Sequence, residues 1–204
     1  MKHIVFLFIF LTCAPLCAQQ EARKTAYFLP RLEITKIANL GPGCRIRLKL
    51  PNKAELGTHY ESEEHPGTGG IGISGLPTSA DRWGMSLQCH KSSEAYVASG
   101  WATKKMDKWE LNENEATVEL IHLDALNFYN LKAKNSEGWA VTYDDTYGED
   151  HFRQRTLAYC LVKNNEAICG ESKVGFLNSI KNSKRADFTN GALRILRQFE
   201  FLDN

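Results

Sequence analysis

Two cysteines stand nine positions apart in the stretch YCLVKNNEAICG, Tyr159–Gly170, with an Asn-Asn pair midway between them. Cysteines can be metal ligands, a redox pair or a structural disulfide, and the compartment in which the chain folds decides between these roles. A disulfide would restrict the fold most, because it would close a short hairpin. The other end of the chain indicates the compartment.

The N-terminus predicts export. A short positively charged start precedes the uninterrupted apolar run Ile4–Leu11, and small or apolar residues continue to Ala18. This pattern is typical of a cleaved secretory signal peptide, and the run is too short to span a membrane. We expect removal of residues 1–18 and a periplasmic or secreted protein. The alternatives are a lipid anchor on a cysteine of this segment and a retained apolar terminus.

Cleavage would change both the charge and the cysteine count. The chain has 25 basic and 24 acidic residues, and Lys2 would leave with the signal peptide, so the mature net charge is near zero. This balance gives no support for nucleic acid or an anionic membrane as a partner. Residues 19–204 contain no second apolar run of membrane-spanning length, and we expect them to form one domain. Four cysteines remain and predict two disulfides, among Cys44, Cys89, Cys160 and Cys169.

Strand register predicts which cysteines pair. An Asn164-Asn165 turn of type I′ would place Cys160 opposite Cys169 at a non-hydrogen-bonded position, where side chains approach most closely. GCRIRLKLP and RWGMSLQCH both alternate apolar and polar residues. Laid antiparallel, their apolar sets oppose each other and place Cys44 opposite Cys89. We therefore expect two disulfides, with the second joining neighbouring strands.

Most of the remaining pattern predicts strands. Residues 32–37 and a hairpin over 127–145 alternate, whereas residues 116–123 fit a strand or a short helix. No regular structure is apparent over 52–69. A helix over 190–198, capped by Thr189 or Asn190, precedes a short final strand. The predicted fold class is α+β, mainly antiparallel β-sheet with a C-terminal helix, stapled by disulfides.

The glycine-rich stretch GIGISG, Gly70–Gly75, matches the spacing of a dinucleotide-binding loop. That function needs a strand before the glycines and a helix after them, and Pro77 would fall in the opening turn of such a helix. We expect a loop edge that leads into a short strand, and no cofactor. Motifs of α/β-hydrolases, zinc proteases and EF-hands are absent from the sequence.

Two polar clusters are candidates for function. The first lies in THYESEEHPGTGG and contains His59, Tyr60, Glu61, Glu63, Glu64 and His65. The second lies in YDDTYGEDHFR and contains Asp144, Asp145, Glu149 and Asp150. Each is a solvated loop, a divalent-metal site or a partner-facing surface, and the second could also supply an acid–base pair. The spacing of the first cluster matches no established metal-binding motif. If the protein is a binding protein, we expect both loops to face its partner.

The C-terminal third resembles a loose group of small secreted bacterial proteins. The segments that carry this resemblance are GWAVTYDD, RQRTLAYCLVKNNEAICG and ALRILRQFEFLD. Some members resemble immunity proteins of type VI secretion, which neutralise an antibacterial effector in the periplasm. The resemblance implies an immunity-type inhibitor that binds a secreted toxin and occludes its active site. The alternatives are a small periplasmic hydrolase or metal-dependent enzyme that uses His59, His65 or the Asp144 cluster, and an envelope structural or adhesion protein.

Overall fold

A computed structural model describes residues 31–62, 66–75, 82–94 and 100–203 of the chain. Its helices with both ends described are α1 (Glu115–His122), α2 (Leu177–Asn182) and α3 (Thr189–Leu196), and a 3-10 turn covers Lys184–Ala186. Its strands, in chain order, are β1 (Ile34–Asn39), β2 (Arg45–Leu50), β3 (Ala54–His59), β4 (Thr68–Ser74), β5 (Arg82–Lys91), β6 (Ala102–Lys105), β7 (Lys108–Leu111), β8 (Leu126–Lys132), β9 (Glu137–Asp144), β10 (Gln154–Lys163), β11 (Glu166–Phe176) and β12 (Glu200–Phe201).

A seven-stranded antiparallel sheet forms the centre of the fold, in the order β3-β4-β5-β11-β10-β9-β8. One face, here called the inner face, packs against a second sheet of three strands, β1-β2-β12, and against α3. On the opposite, outer face, the β6–β7 hairpin covers part of β9, β10 and β11. The predicted fold class is therefore confirmed as α+β with mainly antiparallel strands and a C-terminal helix.

The β10–β11 hairpin has the predicted register. Lys163 pairs with Glu166 and Cys160 with Cys169, whose Cα atoms are 4.0 Å apart. Asn164 has a φ of 55°, but Asn165 does not share the positive φ that a type I′ turn requires at both central residues. The register and the Cys160–Cys169 disulfide are thus confirmed, and the predicted turn type was wrong.

The second predicted disulfide, Cys44–Cys89, is also present, with Cα atoms 5.8 Å apart. The predicted pairing of its two strands was wrong, because β2 pairs with β1 and β12 whereas β5 pairs with β4 and β11. The disulfide therefore connects two sheets that pack face to face. Alternation shows which face of a strand is apolar, and the opposing apolar set can lie in the next layer as well as in the next strand. Two disulfides are typical of proteins that fold in an oxidising compartment.

Several local expectations changed in the structure. The segment 52–69 contains β3 and the start of β4, so the expectation of no regular structure was wrong. β3 has a weak strand pattern with a central Gly57, and its ladder with β4 compensates for that low propensity. Within GIGISG, residues up to Ser74 belong to β4, which is part of an antiparallel sheet and not of a dinucleotide-binding unit.

The helices begin for reasons that the sequence partly contains. α1 resolves the ambiguous segment as a helix, because Asn114 and Thr117 form a reciprocal cap: Thr117 N donates to Asn114 Oδ1 at 3.0 Å and Asn114 N donates to Thr117 Oγ1 at 2.9 Å. α3 begins at Thr189, and Asp187 Oδ1 accepts a hydrogen bond from Thr189 N at 2.9 Å. The expected caps, Thr189 or Asn190, were therefore wrong.

Candidate functional site

The two predicted polar clusters lie at opposite corners of the seven-stranded sheet. β3 is one edge strand and ends at His59, whereas β9, next to the other edge, ends at Asp144. Five antiparallel steps separate these strands, so they end at opposite ends of the sheet and roughly 24 Å apart across it, at about 4.8 Å per step. One small contact surface cannot include both clusters.

The first cluster is only partly described, because Glu63, Glu64 and His65 lie outside the described residues. His59 Nε2 and Glu61 Oε1 are 2.9 Å apart on the surface, and both side chains are more than half exposed. Tyr60 turns back and packs over Gly41, where an added Cβ would lie 2.5 Å from its ring. The described part of this cluster is therefore one exposed pair of polar side chains within hydrogen-bond distance and a packed tyrosine.

In the second cluster, Asp144 has a structural role. Its carboxylate accepts hydrogen bonds from Arg155 Nε at 2.6 Å and from Arg155 Nη2 at 2.8 Å. Arg155 Nη1 also donates to Asp187 Oδ2 at 2.9 Å, which connects the end of β9 to the start of the C-terminal helix. These hydrogen bonds, with Asp144 first, raise the pKa of the Arg155 guanidinium further above its usual range. Asp144 is only 18% exposed and is already paired.

The rest of this cluster is exposed and acidic. Asp145 Oδ2 accepts a hydrogen bond from Gln154 N at 3.0 Å. Asp150 Oδ1 lies 3.1 Å from Arg153 Nη1, and Glu149 Oε2 lies 3.5 Å from His151 Nε2. The side chains of Glu149 and Asp150 are 74% and 76% exposed, so both carboxylates face solvent.

Sequence reasoning missed the apolar residues beside this loop. α1 buries only Thr117, and two of its apolar side chains, Val118 and Ile121, are exposed. The Tyr147 hydroxyl donates to Glu119 Oε1 at 3.3 Å, which connects the loop to the helix. Five large apolar side chains here are exposed, by 37% to 78%: Val118, Ile121, Leu123, Tyr147 and Phe152.

We treat these apolar residues and the exposed acidic residues of the same two segments, α1 and the loop after β9, as one surface, because the Tyr147–Glu119 hydrogen bond joins the two segments. We call it the acidic–apolar surface and define it by the five apolar residues above together with Glu115, Glu119, Asp145, Glu149 and Asp150. In the sequence, the three-residue spacing of Val118 and Ile121 is a signal that could have indicated an apolar face of a helix. The segment also fitted a strand, however, so its outward direction could not be assigned from sequence.

A small cleft lies at the other end of the sheet, beside the Cys44–Cys89 disulfide. It has a volume of about 410 Å³, and its lining includes Tyr60, Cys89, His90, Glu94 and Glu166. Burial lowers the pKa of His90 below 6.5, and nearby Glu94 partly opposes that shift. Cys89 is in a disulfide, so it offers no thiolate nucleophile to this cleft. Cys44, Cys89 and Glu166 lie close enough together to suggest a metal site, but the disulfide leaves neither cysteine free to bind a metal as a thiolate.

None of the helices in the described part of the chain has the length and apolar character needed to cross a bilayer. No protein-family model matches the chain, and no curated protein matches it. One solved structure that it resembles is a crystal structure, at 1.50 Å resolution, of a protein from Bacteroides thetaiotaomicron VPI-5482. The TM-score is 0.40 and the identity is 11%, over 81% of this chain and 48% of that chain. The chain thus spans about half the length of that protein, and a likeness this distant supports no assignment of fold or function.

Proposed function

We propose that the protein is an exported binding protein that recognises a protein partner with a basic surface through its acidic–apolar surface. The observation that carries this proposal is the exposure of Val118, Ile121, Leu123 and Tyr147 on adjoining segments. Soluble monomers expose single apolar side chains freely, but a cluster with a polar rim is typical of an interaction site. The rim here is acidic, which favours a basic partner.

The two kinds of side chain would have different tasks in such a contact. Apolar and aromatic groups at the centre of an interface supply most of the affinity once water is excluded. Charges at the rim act mainly on the association rate and on the choice of partner. Tyr147 combines both properties, because its ring is exposed while its hydroxyl is bound to Glu119.

The proposed biological role is that of an immunity-type inhibitor, which rests on the resemblance of the C-terminal third. In this role the signal peptide directs the chain to the periplasm, where the folded protein binds a toxic enzyme and blocks its active site. Such a protein acts by stoichiometric binding and needs no catalytic group. A rigid sheet with two disulfides suits it, because little ordering is then required on binding.

The proposed binding surface is tested by reversing charges on the acidic–apolar surface and, as a control, at the opposite corner of the sheet. Wild-type protein captures its partner from periplasmic extract, and the captured partner is then purified for binding measurements. Glu119→Lys combined with Glu149→Lys should weaken binding markedly at low salt and less at high salt, because rim charges are screened over roughly 8 Å at physiological ionic strength. Glu61→Lys is the control, since it reverses an exposed carboxylate at the opposite corner.

The proposal would be wrong if Glu61→Lys weakened binding as much as the double variant. A neutral partner surface at the contact would also contradict it. Titration of the partner's toxic activity then tests the inhibitor role, because protection by occlusion saturates at one equivalent.

A small hydrolase is the second candidate, and the observation that favours it is the cleft with His90, Glu94 and Glu166. Lys91 already pairs with Glu166, at 2.8 Å. An enzyme would protect at a small fraction of one equivalent and would lose that protection in His90→Ala. An inhibitor that uses the acidic–apolar surface would keep its full protection in the same variant.

A further inference from the structure

The outer face of the seven-stranded sheet carries a second cleft, of about 340 Å³, between β5 and the residues that precede β6. Its polar lining includes Ser86, Gln88, His90 and Glu171, and its aromatic lining includes Trp101 and Trp139. The volume is at the low end of the range for small-molecule sites, roughly 300–1,000 Å³. We call it the outer-face cleft.

The backbone hydrogen-bond ladder between β5 and β11 is interrupted at the floor of this cleft, and side-chain hydrogen bonds bridge the interruption. Cys169 pairs with Gln88 and Ser172 with Met85, but the two residues between them on each strand do not pair. Ser86 Oγ fills the gap, since it accepts from Glu171 N at 2.8 Å and donates to Glu171 O at 3.2 Å. The Glu171 backbone is thereby fixed, and its side chain is left exposed over the cleft.

Tyr159 stabilises the same interruption from the inner face. Its hydroxyl donates to Ser86 O at 2.8 Å, across β11. Gly170 permits this arrangement, because an added Cβ there would lie 2.0 Å from Ser86 O. The opening in the ladder is thus specified by particular residues on three strands, Ser86, Tyr159 and Gly170.

Three polar side chains line the cleft without a hydrogen bond to any residue in the described ranges: Gln88, His90 and Glu171. Together they offer donors and acceptors of different kinds. Gln88 has two amide donors and a carbonyl acceptor, a neutral imidazole has one of each, and a carboxylate only accepts. Burial lowers the pKa of His90, which favours the neutral ring at pH 7.

The wall of the cleft is aromatic. Trp101 is half-buried and stacks on Tyr143, with ring centroids 4.8 Å apart and planes inclined by 22°. Trp139 is buried beneath, beside the Cys160–Cys169 disulfide. This packing holds the Trp101 ring in place, and a rigid aromatic surface costs little entropy on binding.

We propose that the outer-face cleft binds a neutral sugar ring, which would lie against Trp101 while its hydroxyls bond to Gln88, His90 and Glu171. A pyranose has an apolar face of C–H groups and a rim of hydroxyls that both donate and accept. The cleft presents the matching surfaces. Ser86 also lines a wider groove of about 880 Å³ across β3, β4 and β5.

A cation is the competing ligand, because an indole ring and a carboxylate can hold an ammonium or guanidinium group. Two observations favour the sugar. The cleft has a single carboxylate, Glu171, and the groups beside it, Gln88 and His90, are neutral and offer donors that a cation cannot use. The inference does not depend on the proposed protein partner, since the acidic–apolar surface involves other residues.

The test is a titration of ¹⁵N-labelled full-length mature protein with methyl β-glucoside, methyl β-galactoside and N-acetylglucosamine. The chain has four tryptophans, so four indole N–H signals report on the sites. A saturable shift of the Trp101 signal is expected, with the Trp83 signal of the inner core unchanged. Sugar concentrations extend to roughly 100 mM, which nearly fills a site with a Kd of about 1 mM.

Variants locate the binding in the cleft. Gln88→Ala and Glu171→Ala each remove an exposed side chain and should weaken the affinity by about 5- to 10-fold, the effect of losing one hydrogen bond. Lys173→Ala is the matched control, because Lys173 is exposed on the same strand two residues beyond Glu171, and it should leave the affinity unchanged.

Three results would overturn the proposal. The first is the absence of a saturable shift with all three sugars. The second is binding that is insensitive to Gln88→Ala and Glu171→Ala. The third is tighter binding of choline or arginine methyl ester than of any sugar, which would assign the cleft to cations.

Discussion

At the scale of single residues, Arg155 determines which acidic residues are available at the surface. It holds Asp144 and Asp187 with three hydrogen bonds, and all three side chains are about one-fifth exposed. Asp144 therefore belongs to the scaffold, while Asp145 and Glu149, one and five residues further on, face solvent. A sequence shows the carboxylates of such a cluster but not which of them a neighbouring strand has paired.

Replacement of Arg155 by Met should lower the free energy of unfolding by about 1–3 kcal/mol, because two partly buried carboxylates lose their hydrogen-bond donors. Chemical denaturation measures this loss. Lys105→Met is the matched control, since Lys105 forms an exposed pair with Glu110 at 3.1 Å and its loss should cost about 0–1 kcal/mol. Equal losses in the two variants would contradict the structural role of Arg155.

His90 should titrate below its ordinary pKa of 6.5, because burial disfavours the charged ring. The folded state then binds fewer protons than the unfolded state in this range. Its contribution to stability is therefore highest above pH 6.5 and falls as the pH drops below that value. An NMR titration of the ring measures the midpoint.

Glu94 supplies the control for this prediction. Its charge raises the pKa of His90 against the effect of burial, so Glu94→Gln should move the midpoint further down. A midpoint above 6.5, or an upward shift in the variant, would show that burial does not dominate.

At the scale of elements, the two disulfides stabilise different levels of structure. Cys160–Cys169 joins adjacent strands of one hairpin, with a sequence separation of 9, whereas Cys44–Cys89 joins two sheets, with a separation of 45. The longer loop restricts the unfolded chain more. The chain-entropy relation gives about 4 kcal/mol for the longer loop and about 2.6 kcal/mol for the shorter one.

Removal of the inter-sheet disulfide, by Cys44→Ala with Cys89→Ala, should therefore lower stability more than Cys160→Ala with Cys169→Ala. The expected difference is about 1 kcal/mol or more. Denaturant unfolding of the two double variants under identical oxidising conditions measures it. A larger loss from the hairpin variant would mean that Cys160 and Cys169 act mainly through packing beside Trp139.

At the scale of the whole molecule, the sheet separates the two candidate surfaces. The acidic–apolar surface lies where β8 and β9 meet α1, and the His59–Glu61 pair lies at the opposite edge. The outer-face cleft lies between them, at the boundary of β5 and β11.

Hydrogen exchange on the partner complex should reveal the partner's footprint. Amides of residues 115–123 and 145–152 should become protected, while those of residues 54–61 should exchange as in the free protein. The unbound protein at equal concentration is the reference. Protection confined to residues 54–61 would place the contact at the other corner and contradict the proposed surface.

The sequence by itself determined the features that depend on neighbours along the chain. The Cys160–Cys169 register follows from counting outward from a two-residue turn, and the apolar face of β5 follows from strict alternation of Trp83, Met85 and Leu87. The final helix and strand follow from local apolar spacing and lie within two residues of their expected ends. The Cys44–Cys89 disulfide is also present, although the strand pairing from which it was predicted is not.

Only the tertiary structure decided the features that depend on the other layer or on a distant strand. The apolar faces of β2 and β5 could have met within one sheet or across two, and alternation is identical in both cases. The pairing of β3 with β4, the capture of Asp144 by Arg155 and the outward face of α1 all depend on contacts made after the layers have assembled. Local pattern specifies the direction of a side chain, whereas its partner is set by whichever surface the packed sheets bring opposite to it.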